Sequence, residues 1–190
     1  MATLADVPRS IGIVLAGGQS SRMGRDKAML SWNGRPLIEH QLAALRAAGV
    51  DEARVSGHHP DYDGIADALS HMGPLSGLAG VAAELEDDVE LLVIPVDMPL
   101  LTPSLLQRLR TMNREAACLR YAGHVLPMRL RLDARCRARL DGLLHESDPR
   151  RRSLRALQHA VGVEEIALPP DEATQLTDCN TEAIWREVSA

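Results

Sequence analysis

Residues 11–27 read IGIVLAGGQSSRMGRDK, a short apolar run followed at once by glycine, hydroxyl and cationic side chains. The run from Ile11 to Leu15 is rich in β-branched residues, as expected of a strand buried on both faces of a parallel sheet. Open α/β sheets bind ligands at the carboxyl ends of such strands, and Gly17 and Gly18 follow this one. The stretch therefore predicts an α/β fold with a ligand-binding loop after its first strand.

The loop has the composition of a phosphate-binding site. Gly17 and Gly18 have no Cβ, so a nucleotide can approach the main chain and backbone N–H groups can point at its phosphate oxygens. Arg22 adds a planar guanidinium, and Lys27 adds a mobile ammonium of the same charge. The spacing from Gly18 through Gly24 to Lys27 differs from both the P-loop and the dinucleotide-binding fingerprint.

Length and composition predict one globular domain. The chain has 190 residues, a net charge of −5 and 45% hydrophobic residues, which excludes a disordered protein. We expect a flexible arm over residues 1–10 and a single domain over residues 11–190. The arm lacks the apolar core of a signal peptide, and no run of about 18 apolar residues predicts a membrane span.

The cysteines and the acidic charge exclude other classes of site and partner. The chain contains Cys118, Cys136 and Cys179 with no CxxC pair, so neither a disulfide framework nor a zinc site is expected. These spacings indicate reduced thiols in a cytoplasmic protein. Nucleic acid is not an expected partner, because the chain is acidic and its arginines have no interleaved aromatic residues.

A carboxylate follows the predicted central strand, residues 90–96. Asp97 comes directly after this strand, which places it at the same sheet edge as the glycine-bearing loop. Mg²⁺ prefers oxygen ligands and commonly takes one or two carboxylates together with phosphate oxygens and water. Asp97 is therefore a candidate magnesium ligand. The alternative is that its side chain accepts a hydrogen bond from the turn before Pro99.

Residues 120–155 form a basic region. They contain ten arginines against four acidic residues, a balance of 10 − 4 = +6, which leaves −5 − 6 = −11 for the rest of the chain. Such asymmetry indicates a surface for a phosphorylated partner, although a run of charges is also typical of a solvated face. Both interpretations stay open.

Four segments resemble the MobA family, the molybdenum cofactor guanylyltransferases. The thirteen residues from Leu15 to Lys27, LAGGQSSRMGRDK, closely resemble its signature loop. The segments LLVIPVDMP (91–99) and GPLSG (73–77) resemble two further landmarks. Residues 178–182, DCNTE, resemble a fourth, with Glu182 where the family usually has proline.

The resemblance implies a Rossmann-like three-layer α/β nucleotidyltransferase fold with a mostly parallel central sheet. It also implies transfer of GMP from GTP to the terminal phosphate of molybdopterin or of the molybdenum cofactor, with Mg²⁺ bound at Asp97 and pyrophosphate leaving. The implied catalytic residues are Arg22, Lys27 and Asp97. The implied nucleotide-binding residues are Leu15, Ala16, Gly17, Gly18, Lys27, Asp67 and Asp97.

Other positions are less sharply defined by the resemblance. Asp67 matches a nucleotide-contacting position, and its carboxylate can accept the paired N–H groups of guanine, which cytosine does not offer; capping a helix or turn is its alternative role. Arg151 and Arg152 lie where resembling enzymes carry a basic pair near the pterin. Asn180 either contacts substrate or caps the last helix, which is expected from Thr181 to about Val188.

Two competing functions stay open at this point. Where the family often has an asparagine after the second strand, this chain has His58, so a ribose or base contact differs. A molybdopterin cytidylyltransferase typically reads Leu-Ala-Ala-Gly in the loop, and Gly17 instead favours the larger guanine base. The other alternative is an accessory protein that binds nucleotide without turnover. Expected partners are GTP and the pterin, together with cofactor-delivery proteins and molybdoenzyme chaperones.

Overall fold

A computed structural model describes residues 8–17, 26–70 and 72–188 as strands and helices in alternation. The strands are β1 Ser10–Leu15, β2 Ser31–Trp32, β3 Arg35–Pro36, β4 Glu52–Ser56, β5 Val89–Pro95, β6 Cys118–Tyr121, β7 Met128–Leu132 and β8 Val163–Ile166. The α-helices are α1 Leu37–Ala47, α2 Pro74–Ala83, α3 Pro103–Thr111, α4 Ala134–Leu144, α5 Leu154–Val161 and α6 Glu182–Val188. Short 3₁₀ segments at Lys27–Met29, Pro60–Tyr62, Pro149–Arg151 and Pro170–Leu176 lie between them.

Six strands form the central sheet, in the order β4-β1-β5-β7-β6-β8, and β2 pairs with β3 as a separate hairpin. β1 is parallel to both β4 and β5, and β6 is parallel to β8. Of the described strands in this sheet, only β7 runs antiparallel to its neighbours. The predicted mostly parallel α/β fold is therefore confirmed, and the carboxyl ends of β1, β4 and β5 meet at one edge.

Side chains alternate between the two faces of the sheet, and each face has its own core cluster. In β5, Leu92 and Ile94 pack on the side of α1 and α3, whereas Leu91 and Val93 pack on the side of α2, α4 and α5. All four side chains are fully buried. Helices thus cover both faces, which gives three layers and explains why β5 is a continuous apolar run.

The strands with the clearest apolar runs lie within one residue of their predicted positions. β1 begins at Ser10, the last residue of the expected N-terminal arm, and this serine is only 2% exposed. Ala28 lies in a 3₁₀ turn, where its N–H donates to the Asp26 carboxylate, and the extended segment begins at Ser31. β7 begins at Met128, directly after Pro127, which has no N–H to donate to a ladder.

α2 ends at Ala83 and α3 ends at Thr111, whereas α6 reaches Val188 as expected. None of the helices in the described part of the chain is long and apolar enough to cross a membrane.

Candidate active site

A cavity of about 380 Å³ opens at the carboxyl edge of β1 and β5. Its lining comes from the first loop, the turn after β5, the start of α2 and the segment before α6. The lining residues are Leu15, Ala16, Gly17, Asp26, Lys27, Pro74, Pro95, Val96, Asp97, Leu126 and Asn180. Elements far apart in the sequence therefore bring several of the predicted site residues to one cleft.

Lys27 is the centre of a polar cluster in this cleft. Its Nζ donates to Oδ2 of Asp97 at 3.1 Å and to Oδ1 of Asn180 at 2.7 Å. The side chains of Lys27 and Asp97 are only 16% and 19% exposed, so their opposite charges interact with little screening. Asn180 in turn donates from Nδ2 to Asp178 at 2.6 Å, which directs its Oδ1 towards the lysine.

Asn180 does not cap the last helix. α6 begins at Glu182, and the capping bond runs from the Ile184 N–H to the hydroxyl of Thr181. The capping alternative for Asn180 was therefore wrong. Its side chain instead reaches Lys27, a residue 153 positions earlier in the chain.

His59 connects the two described ends of the first loop. Its Nε2 donates to the Ala16 carbonyl at 3.2 Å, and its Nδ1 lies 3.7 Å from the Asp26 carboxylate. Asp26 also caps the 3₁₀ turn that begins with Lys27. The sequence places His59 on a loop, where contact with ligand, exposure to solvent and a structural role are all possible, and the neighbouring Pro60 does not distinguish between them.

The first loop also contacts the turn after β4 through glycines. Gly57 has a φ of +122°, and a Cβ on it would lie 2.6 Å from the main-chain nitrogen of Gly17. A Cβ on Gly17 would in turn lie 3.0 Å from Oδ1 of Asp67. The structure thus places Asp67 beside the loop, while His58 is exposed. Gly57 and His59, rather than His58, are the positions after β4 that contact the loop.

Arg152 and Arg151 differ in their surroundings. Nη1 of Arg152 lies 3.2 Å from the Met72 sulfur, next to the Gly73–Pro74 turn at the rim of the cavity. Arg151 is exposed and lies 3.6 Å from the Glu146 carboxylate. Within the described part of the chain, neither arginine lines the cavity. Two other sequence-predicted site residues, Gly18 and Arg22, lie outside the described residues.

The basic region, residues 120–155, is not uniformly a binding surface. Arg129 is 1% exposed and donates to four main-chain carbonyls around the end of α3. Arg137 donates to three carbonyls at the end of α2 and pairs with Asp87. These two arginines stabilise loops, so they are not available to a phosphorylated partner.

The three cysteines are free and buried. Burial raises the pKa of Cys118 and of Cys136 to about 12, and burial followed by the nearby Asp97 carboxylate raises the pKa of Cys179 to about 11. All three are therefore protonated thiols near neutral pH, which are poor nucleophiles. Among the described residues, no three His, Cys, Asp or Glu side chains are grouped to hold a metal ion.

The fold and the position of the cleft define the class of protein. Doubly wound parallel sheets bind nucleotides at this edge, and a lysine beside a carboxylate suits chemistry on phosphate groups. The chain is therefore an α/β nucleotidyltransferase. Residues 12–162 match the family model of the MobA-like NTP transferase domain, so the chain belongs to that family.

Known proteins similar to this chain carry related names. A molybdenum cofactor guanylyltransferase of Xanthomonas euvesicatoria is 47% identical over 92% of this chain and 91% of its own length. Two solved structures share the fold. Molybdopterin-guanine dinucleotide biosynthesis protein A from Archaeoglobus fulgidus has a TM-score of 0.74 at 16% identity, covering 94% of this chain and 96% of that one. Rv0371C from Mycobacterium tuberculosis, solved in complex with manganese, has a TM-score of 0.62 at 18% identity, with coverages of 95% and 98%.

Proposed function

We propose that this protein transfers GMP from GTP to the terminal phosphate of molybdopterin or of the molybdenum cofactor, and releases pyrophosphate. The observation that carries the proposal is the Lys27–Asp97–Asn180 cluster, which lines one cleft with Gly17. The similarity to a guanylyltransferase over nearly the whole chain supports the choice of substrates.

The reaction requires the protein to bring anions together. A phosphate oxygen of the pterin attacks the α-phosphorus of GTP, a P–O bond forms, and the bond to the β-phosphate oxygen breaks. The attacking phosphate is already anionic near neutral pH, so no strong base is needed. Lys27 lowers the repulsion with its ammonium, and main-chain N–H groups of the first loop hold phosphate oxygens. Arg22 is proposed to add a second cation from the same loop.

Asp97 is the residue proposed to hold Mg²⁺. Its carboxylate lines the cleft and is partly exposed, and a carboxylate oxygen is a ligand that Mg²⁺ prefers. When bound, the metal supplies positive charge to the phosphates. Lys27 pairs with the same carboxylate, and with a metal on Asp97 its ammonium would be available to the phosphates. The manganese complex of a protein with this fold is consistent with a divalent cation in the class.

Asp67 is the residue proposed to recognise guanine. Its carboxylate lies against the first loop but does not line the cavity, and a Cβ at position 17 would lie 3.0 Å from its Oδ1. Glycine at position 17 therefore leaves room for this carboxylate beside the loop. The alternative is a cytidylyltransferase, because the same phosphate chemistry serves either base.

The remaining proposals concern the acceptor side and the setting of the protein. Arg151 and Arg152 are proposed pterin-binding residues, and the contact of Arg152 with Met72, two residues before the cavity-lining Pro74, supports this for Arg152. Asn180 orients Lys27 and can contact the acceptor from the same position. We further propose a cytoplasmic protein that receives its pterin from delivery proteins and passes its product to molybdoenzyme chaperones.

The test is Mg²⁺-dependent pyrophosphate release from GTP and from CTP, each with and without molybdenum cofactor, by the purified protein. We expect release with GTP only when the pterin is present. Asp97→Ala should lower turnover by on the order of 100-fold, the scale for loss of one preorganised electrostatic group.

Each other outcome identifies a different error. Preference for CTP would keep the mechanism and overturn the choice of base. GTP binding without pyrophosphate release would favour an accessory protein, and near-normal Mg²⁺-dependent turnover by Asp97→Ala would overturn the metal assignment.

A further inference from the structure

We infer that Gln41 is a positioning residue for Asp97, and so for the metal that Asp97 is proposed to hold. This inference rests on the proposed function, because it gives Gln41 a role only through the Asp97 carboxylate. Gln41 lies in α1 and does not line the cleft.

The Gln41 amide donates hydrogen bonds to the main chain on both sides of Asp97. Its Nε2 donates to the Met98 carbonyl at 2.7 Å and to the Val96 carbonyl at 3.3 Å. These two carbonyls belong to the residues immediately before and after the carboxylate. One side chain thus fixes the peptide units from which the Asp97 side chain projects.

Two further contacts hold the same segment. The Cys179 N–H donates to the Asp97 carbonyl at 2.8 Å, and Nε2 of His40 donates to the Pro99 carbonyl at 2.9 Å. The carbonyls of residues 96, 97, 98 and 99 are therefore all hydrogen-bonded to groups outside the segment. Two of the groups that hold them, His40 and Gln41, are consecutive residues of α1.

The burial of Gln41 supports a specific role. Gln41 is 0% exposed, and it lies between Ile38, Leu42 and Leu45 on the core-facing side of α1. An amide in such a place costs free energy unless it is hydrogen-bonded, and an apolar side chain would pack there without that cost. Its Oε1 has no hydrogen-bond partner among the described residues, so the hydrogen bonds of its amide are those that Nε2 donates to the segment around Asp97.

The position of a metal-binding carboxylate depends on such supporting groups. Groups that hold a metal ligand in place without touching the metal typically contribute about 10- to 100-fold to metal affinity. Loss of the Gln41 amide would leave the Val96 carbonyl without this donor and the Met98 carbonyl with only the 3.3 Å contact from the Leu101 N–H, so the turn carrying Asp97 would adopt other orientations.

The test compares Gln41→Met with Gln158→Met. Gln158 is also 0% exposed, donates from Nε2 to one main-chain carbonyl at 2.7 Å and has an unpartnered Oε1, but it lies in α5 and holds Val125. Both variants remove a buried amide and keep a similar volume. Binding of Mn²⁺ is measured from the electron paramagnetic resonance signal of the free ion, with an α,β-methylene analogue of GTP that does not react. Asp97→Asn defines the signal that depends on the proposed ligand.

We expect Gln41→Met to weaken Mn²⁺ binding by on the order of tenfold, and to raise the Mg²⁺ concentration for half-maximal pyrophosphate release by a similar factor. Gln158→Met should leave Mn²⁺ binding within about twofold, because the Gln158 amide donates to the Val125 carbonyl and the Met128 sulfur rather than to residues 96–99. The KM for the pterin should not change in Gln41→Met. Unchanged Mn²⁺ binding in Gln41→Met, or an equal loss in Gln158→Met, would overturn the inference.

Two controls separate failure of folding and failure of the proposed function. If Gln41→Met does not fold, His40→Leu removes the Pro99 anchor from a half-buried position, and we expect it to weaken Mn²⁺ binding in the same direction. No change in this variant would then overturn the inference. Absence of pyrophosphate release by the wild-type protein, or unchanged Mn²⁺ binding in Asp97→Asn, would instead overturn the proposed function or its metal assignment.

Discussion

Single residues control how closely the main chain of one loop approaches another in this site. Gly57 has a φ of +122°, a conformation that other residues rarely adopt. A Cβ on it would also lie 2.6 Å from the Gly17 nitrogen and 2.8 Å from the Gly17 Cα. Position 57 therefore excludes a side chain for two independent reasons: the positive φ of its backbone and the close approach of Gly17.

We expect Gly57→Ala to lower the free energy of unfolding by roughly 2 to 4 kcal/mol, the sum of backbone strain and an overpacked contact. It should also raise the KM for GTP, because the displaced neighbour is the nucleotide loop. Urea unfolding and steady-state kinetics measure the two effects.

Gly34→Ala is the matched control. Gly34 also has a positive φ, +82°, but no atom lies within 4 Å of its Cβ position. Gly34→Ala should lower the free energy of unfolding by about 1 kcal/mol, the cost of the backbone conformation without a clash. The KM for GTP should not change in this variant. Equal losses of stability in the two variants would show that the approach of Gly57 to Gly17 is not tight.

Among the elements, α1 connects the core to the turn that carries Asp97. Its buried apolar face packs on the sheet, while His40 and Gln41 hold the segment after β5. Burial lowers the pKa of His40 below its usual 6.5; the hydrogen bond to Pro99 opposes this shift, and the Arg35 charge adds to it. Because a carbonyl only accepts, Nε2 carries the proton, and Nδ1 can accept from Arg35 at 3.4 Å.

This lowered pKa predicts a pH dependence of stability. Between the folded-state pKa and 6.5, the unfolded chain binds a proton at His40 more readily than the folded protein does. The free energy of unfolding should therefore rise as the pH increases through this window. Above 6.5 the protonation of His40 should cause no further rise. Urea unfolding of wild type and of His40→Gln across the window isolates the effect from the other histidines. Identical slopes against pH in the two proteins would contradict the assignment.

The elements also show what the sequence could and could not predict. β1 and β5 were predicted because a strand buried on both faces is a continuous apolar run. β4 gave a weaker signal, because it is an edge strand with charged residues. β8 was not predicted, because it is an edge strand in which Glu164 and Glu165 are exposed. Gln41 reads as an ordinary polar position of a helix, and its burial depends on how α1 docks. Asn180 suits a helix cap equally well from sequence alone, because only the fold brings it to Lys27.

At the level of the whole molecule, the cleft is completed by the C-terminal segment, residues 167–188. This segment follows the part that matches the family model, residues 12–162, yet it supplies Asn180 and the N–H that holds Asp97. Arg108 in α3 donates two hydrogen bonds to the Glu172 carboxylate. Trp185 of α6 packs edge-on against Trp32, with 5.7 Å between the ring centroids. The site is therefore assembled only when this segment docks on the sheet domain.

The two tryptophans provide a direct measurement of that docking. Trp32 and Trp185 are the only tryptophans in the chain, and they contact each other where α6 meets the β2–β3 hairpin. Tryptophan fluorescence thus reports on the C-terminal segment, whereas far-ultraviolet circular dichroism reports on the sheet and helices. If residues 11–190 form one domain, both signals should change at the same urea concentration, as in a two-state transition.

Trp32→Phe leaves Trp185 as a single reporter and controls for a local change at the hairpin. In this variant the fluorescence midpoint should still coincide with the midpoint from circular dichroism. A fluorescence transition at lower urea would mean that the C-terminal segment opens as a separate unit. Pyrophosphate release should then be lost along the fluorescence curve rather than the circular dichroism curve, because without the docked segment Lys27 loses Asn180 and Asp97 loses the Cys179 anchor.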